Sequence, residues 1–187
     1  MVPDKVRLAS VGLGGWGGVL AAAVARSGAG EIIQCFDPDR DALSAFTETV
    51  RCRPAFDLDE LLRDEEVEAV LVATPHSTHA DIVCQAASAG KHIFIEKPFM
   101  LNVADARRSI EAAAKAGLVL QVGHKRRWEG AYRRLREMID EGELGMVPQL
   151  EANISKPSML NPRPGWRNDP TEAPVGSMTG QGIHLVD

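Results

Sequence analysis

The chain has 187 residues, 44% of them hydrophobic and 25% charged. These are globular values and exclude wholesale disorder, and the length allows one ordinary domain of ~100–200 residues plus part of another. A net charge of -5 argues against a general nucleic-acid binder.

Cys35, Cys52 and Cys84 are scattered and odd in number. With no C-x-x-C pair, neither a structural zinc site nor a disulfide framework is expected, and the thiols read as reduced and buried. The first residues run straight into an apolar segment without a secretory leader. No stretch reaches the ~18 apolar residues of a membrane helix. A cytoplasmic protein is expected, with no membrane or nucleic-acid partner.

In chain order, Val6 to Val11 is a short apolar run ending at Gly12, the signature of a buried parallel strand. Alanine-rich Val19 to Arg26 predicts a helix stopped by Gly28 and Gly30. Ile32 to Phe36 is a second strand, and Asp39 caps a helix through about Val50. Asp57 begins a shorter helical turn with Leu58, Leu61 and Leu62. Ala69 to Ala73 and His92 to Glu96 are strands separated by a helix from about His79 to Ser88. Asn102 caps a helix ending at Gly117, and Leu118 to Val122 is a further strand candidate. Such alternation predicts parallel strands joined by right-handed crossovers. The expected fold is α/β, a doubly wound parallel sheet with its ligand at the carboxyl ends of the strands. Beyond Gly123 the pattern changes. One helix carries Tyr132, Leu135, Met138 and Ile139, Gln149 to Ile154 reads as a strand, and Lys156 to Pro174 reads as loop.

Gly12-Leu13-Gly14-Gly15-Trp16-Gly17 fits G-x-G-x-x-G between a strand and a helix, and Asp37 follows Gly17 by 20 residues. That context is the dinucleotide-binding fingerprint. Gly12 permits the tight turn, Gly14 lets the backbone approach a pyrophosphate, and Gly17 lets helix and strand pack closely. Asp37 accepts hydrogen bonds from the adenosine ribose and repels a 2′-phosphate, which favours NAD. Arg40 lies nearby and could receive such a phosphate, so NADP stays open.

Several further segments carry a resemblance. They are Thr74-Pro75-His76-Ser77-Thr78-His79, Glu96-Lys97-Pro98, Gly123-His124-Lys125-Arg126-Arg127-Trp128 and Gly182-Ile183-His184-Leu185-Val186-Asp187. In order and spacing, from residue 5 to 187, they resemble the glucose–fructose oxidoreductase / inositol dehydrogenase (Gfo/Idh/MocA) family. The resemblance implies a Rossmann domain over residues 1–123 and the incomplete start of an α+β substrate and oligomerisation domain over 124–187. It implies hydride transfer between NAD(P) and a sugar, polyol or related carbonyl compound, and a possible homo-oligomer. Lys97 and His184 would be catalytic, with Arg167 joining them against the substrate. The cofactor set would be Gly12, Gly14, Gly15, Trp16, Gly17, Asp37, Arg40, Thr74, Pro75, His79, Glu96 and Lys97. Family members often carry aspartate four residues before the catalytic histidine, where this chain has Gly180. From Gln149 onward 39 residues remain, fewer than the ~50 a domain needs, so a truncated chain is expected. A non-catalytic dinucleotide-binding remnant is the alternative. His76 and His79 could share a helical face, but no third ligand is apparent, and no metal is expected. The basic cluster Lys125, Arg126, Arg127, Arg133, Arg134 and Arg136, interleaved with acids, reads as a solvated helix face with ion pairs.

Overall fold

A computed structural model describes residues 5–155 and 165–187. It divides into two compact units, one running through Val122 and the other from Gly123 to Asp187.

The first unit is a six-stranded parallel sheet. Its elements are β1 (Val6–Val11), α1 (Gly15–Ser27), β2 (Gly30–Phe36), α2 (Arg40–Thr49), β3 (Arg53–Pro54), α3 (Leu58–Arg63), β4 (Ala69–Val72), α4 (His79–Ser88), β5 (His92–Ile95), α5 (Val103–Lys115) and β6 (Leu120–Val122). The strand order is β3-β2-β1-β4-β5-β6. The order reverses between β1 and β4, which opens a crevice at their carboxyl ends.

The alternation of side chains along each strand builds two apolar layers. Ala9, Val11, Val70, Val72, Ile93 and Ile95 pack with Leu61 of α3 and Val83 of α4 on one face. Ile32, Cys35 and Leu71 pack with Ala21 of α1 and Leu43 and Phe46 of α2 on the other. Burial on both faces is why these strands read as continuous apolar runs. The β1–β2 pairing slips once: Leu8 faces Ile32 and Ala9 faces Gln34, so Ile33 is bulged out.

The caps explain where the helices begin. Asp39 accepts from the Asp41 and Ala42 amides, Asp57 from Glu60, and Asn102 from Asp105, each satisfying N–H groups that have no partner inside the helix. Helix α1 begins four residues before the predicted Val19, inside the glycine motif, because packing overrides the weak helix propensity of glycine. Strand β3, to which the sequence reading assigns no residues, is two residues long and carries a proline.

In the second unit, α6 (Gly130–Asp140) is the expected helix. A π-helical turn (Met178–Gly182) runs into α7 (Ile183–Val186). The expected strand at Gln149–Ile154 is not formed. Its alternating pattern finds no partner strand among the described residues, and a strand without a ladder leaves its amides to solvent. The expected loop at Lys156–Pro174 lies partly outside the described residues; within its described part Trp166–Asn168 forms a single 3₁₀ turn. Among the described residues no helix is long and apolar enough to cross a membrane.

Candidate cofactor and proton-transfer site

The hydrogen-bond ladder continues past the strand ends and sets the site. Gly12 N–H donates to Phe36 O at 3.1 Å, Ala73 N–H to Val11 O at 2.8 Å, and Glu96 N–H to Val72 O at 2.9 Å. The segments that follow β1, β2, β4 and β5 are thereby held side by side. A β-carbon on Gly12 (φ +87°) would lie 2.7 Å from Ala73 C and 2.8 Å from Thr74 N. Only glycine fits between the two turns. A β-carbon on Gly17 would overlap the Gly12 carbonyl, so the start of α1 is pressed onto the turn. At Gly14 and Gly15 the reverse holds, for nothing lies within 4 Å of an added β-carbon. Helix α1 has no side-chain cap and no acid in its first turn. Its amino end therefore offers N–H groups and a positive dipole end to open space, which fits a pyrophosphate.

Asp37, just beyond β2, is already engaged. Its Oδ2 accepts from Leu13 N–H at 2.7 Å and its Oδ1 from Asp39 N–H at 2.9 Å. One carboxylate thus pins the glycine turn to the end of β2. Each oxygen keeps a lone pair for a ribose hydroxyl. The Arg40 guanidinium stands 5.7 Å from the Phe56 ring centroid.

Across the crevice are the turns after β4 and β5. The Thr78 hydroxyl lies 2.8 Å from Thr74 Oγ1 and 2.7 Å from Pro75 O, which closes the Thr74-Pro75 turn on itself. Glu96 is buried, and its Oε2 accepts from Lys97 N–H at 3.2 Å. Lys97 is half-buried at the carboxyl end of β5. The structure thus gathers Gly12, Gly14, Gly15, Trp16, Gly17, Asp37, Thr74, Pro75, Glu96 and Lys97 along one edge of the sheet. His79 departs from the expected cofactor set. It has no exposed surface. Its Nδ1 lies 3.1 Å from both Pro98 O and Phe99 O, and its Nε2 lies 3.2 Å from Thr74 O. The ring sits beneath the turns as a strut, because the first turn of α4 faces inward.

In the second unit, His184 lies partly buried in α7. Three residues on, Asp187 accepts from Arg127 Nε at 2.9 Å, which holds the guanidinium more firmly protonated than usual. His124 Nδ1 is 3.3 Å from Asp187 Oδ2, an ion-pair distance rather than a directed hydrogen bond. The Gly123–Trp128 and Gly182–Asp187 segments are therefore tied together, a link that no local spacing in the sequence announces. Arg127 with Asp187, Arg134 with Glu143 and Arg136 with Asp140 are the exposed ion pairs that the solvated-face reading expects. Arg167 lies over its neighbour Trp166, 4.1 Å from the ring centroid. Gly180 sits in the π turn with open space where a side chain would project.

Two features escape sequence reasoning. Lys91 is buried, and its ammonium donates to Asp64 O at 2.7 Å and Val67 O at 2.8 Å, closing the end of α3. Buried Cys35 and half-buried Cys52 interact: the contact, together with burial, pushes the Cys35 thiol up, and the same contact lowers that of Cys52 against the opposing effect of burial. Among the described residues no three histidine, cysteine or acidic side chains gather as a metal site.

Comparison with known proteins agrees with this geometry. Myo-inositol 2-dehydrogenase of Thermotoga maritima is 34% identical over 154 residues, which are 82% of this chain and 46% of that enzyme. A solved oxidoreductase from Desulfitobacterium hafniense DCB-2, which carries an NADPH-dependent assignment, superposes with a TM-score of 0.90 at 33% identity, covering 98% of this chain and 53% of its own. The WlbA dehydrogenase of Bordetella pertussis, solved with NADH and UDP-GlcNAcA, superposes with a TM-score of 0.74 at 27% identity, covering 78% and 42%. The chain spans about half the length of these relatives. Residues 6–124 match the model of the oxidoreductase family with an NAD-binding Rossmann fold, and residues 132–187 match the GFO/IDH/MocA C-terminal domain. The chain belongs to the Gfo/Idh/MocA family of oxidoreductases.

Proposed function

We propose that this chain holds NAD(P) for hydride transfer to or from a sugar, polyol or related hydroxyl or carbonyl substrate. The observation that carries the reading is Asp37, whose carboxylate fixes the glycine turn at Leu13 N–H while keeping lone pairs for a ribose. Gly14, Gly15, Trp16 and Gly17 receive the pyrophosphate at the start of α1. The Asp37 carboxylate repels a 2′-phosphate, which favours NAD. Arg40 is the residue through which NADP would be accommodated.

A bound nicotinamide supplies the hydride acceptor or donor. Alcohol oxidation also releases a proton from oxygen, and Lys97 at the end of β5 takes it as general base and returns it in the reverse direction. Glu96 holds the Lys97 amide and so fixes the backbone of that turn. Thr74 and Pro75 line the nicotinamide side, and His184 and Arg167 of the second unit serve the substrate. Residues 124–187 are the start of the substrate and oligomerisation domain, and the protein works in the cytoplasm as a homo-oligomer.

Titration with NADH and NADPH in parallel, followed by tryptophan quenching at Trp16, tests the reading. Saturable NADH binding, weakened ~10-fold or more by Asp37→Ala through loss of two to three hydrogen bonds, is expected. Turnover with NAD over a panel of polyols should fall ~10²–10⁴-fold in Lys97→Ala. No binding of either nucleotide overturns the proposal, and binding without turnover across the panel reduces the chain to a non-catalytic dinucleotide-binding module.

A further inference from the structure

Three carbonyl oxygens surround the ring nitrogens of His79, two at Nδ1 and one at Nε2. Carbonyls only accept. A neutral imidazole has one N–H, so its other nitrogen would turn a lone pair on a carbonyl. At zero exposure no bulk water relieves that repulsion. A second proton removes it. Nδ1–H is then shared between Pro98 O and Phe99 O, and Nε2–H goes to Thr74 O, each a charge-assisted bond.

We propose that His79 is a doubly protonated imidazolium and the positioning residue for Lys97. This rests on the reading of Lys97 as the proton-transfer group. A single ring bonds the turn after β4 at Thr74 and the turn after β5 at Pro98 and Phe99, immediately beyond Lys97. It thereby fixes how far apart the nicotinamide-lining turn and the Lys97-bearing turn stand. The charge is buried, which is costly unless paired and hydrogen-bonded. The dipoles of the three carbonyls offset that cost. The charged and titratable groups on the surrounding elements are His76, whose ring meets His79 edge-on at 5.6 Å, Asp81 and Cys84 on α4, Glu96 and Lys97 on the β5 turn, and Asp105, Arg107, Arg108, Glu111 and Lys115 on α5. Asp81, Asp105 and Arg108 are already paired with one another.

The decisive measurement is a long-range ¹H–¹⁵N spectrum of the histidine-labelled chain at about pH 7.5, a unit above the ordinary histidine value. His79 is assigned by the signals lost in His79→Gln. Two proton-bearing ring nitrogens are expected, and one bare nitrogen overturns the protonation. Positioning is read by kinetics. Gln can donate two N–H bonds to the carbonyls without a charge, and Leu donates none. His79→Gln should bind NADH within about 3-fold of the parent, because the ring is wholly buried beneath the turns. Turnover should fall about 10–100-fold in His79→Gln and further in His79→Leu, the scale of a ~1 Å misplacement. Equal turnover in the parent, Gln and Leu forms overturns positioning. Should the parent show no turnover, acetic anhydride labelling of Lys97 relative to the other lysines reads its placement, and an unchanged ratio in His79→Leu overturns it. Should Lys97→Ala leave turnover intact, the assignment of Lys97 fails, while the spectrum still decides the state of His79.

Discussion

In the first unit, Leu61, Val70, Val72, Ile93 and Ile95 are wholly or almost wholly buried, and so are the polar groups that close its turns, His79, Glu96 and Lys91. In the second unit, Tyr132, Leu135, Ile139, Met146 and Leu150 are exposed, and no large apolar side chain among the described residues is fully buried. Its side-chain links include the exposed pairs of Arg127 with Asp187, Arg134 with Glu143 and Arg136 with Asp140. The helices of the two regions have the same kind of amphipathic sequence. What differs is that six paired strands give the first unit two faces on which helices can bury their apolar stripes, whereas the described residues of the second unit form no strand. Apolar patterning creates a core only where a sheet or another helix receives it.

The sharpest way to break this contrast is to delete equal side chains from both regions. Leu61→Ala should lose ~2–5 kcal/mol of stability in urea unfolding, the range for buried leucine. Leu135→Ala should stay within ~0.5 kcal/mol, as exposed positions do. Equal losses would mean that the second unit is part of the same core. A smaller effect tests the caps: Asp57→Ala should lower the unfolding midpoint by the equivalent of ~1 kcal/mol, whereas removing Asp169, which caps only a short turn around Thr171, should not register. The smallest concerns acid. The Arg7 amide and guanidinium hold the Glu68 carboxyl below its usual range. Its folded value is depressed, so its contribution is present above the unfolded value and is lost as pH falls through the folded one. Thermal unfolding between about pH 5 and pH 3 should therefore be slightly less acid-sensitive in Glu68→Gln than in the parent.

Much of this was legible in the chain itself. The strands announce themselves because they are buried on both faces, and the helices because Asp39, Asp57 and Asn102 cap them. The glycine turn and Asp37 are visible because their spacing is local. The start of α1 was not, since glycine lowers helix propensity and the helix begins there for reasons of packing. Strand β3 was too short to have a period. Gln149–Ile154 has the right alternation and no partner. The engagement of His79 with Pro98 and Phe99, and of Arg127 with Asp187, joins residues 19 to 60 positions apart. No periodicity encodes such a contact; only the closing of the crossovers brings it about.

The brevity of β3 has one further consequence. An open parallel sheet exposes two rows of unpaired amides that can template aggregation with another chain. Here one border is two residues long, holds a proline that lacks an N–H, and carries Arg53, whose guanidinium is clasped by Asp64 and Glu66. The opposite border, β6, is three residues long. A chain that adds itself edge-on would gain few backbone hydrogen bonds at either border, and on the β3 side it would also have to accommodate a charged cluster. The sheet is thus protected against fibrous growth by the shortness of its margins.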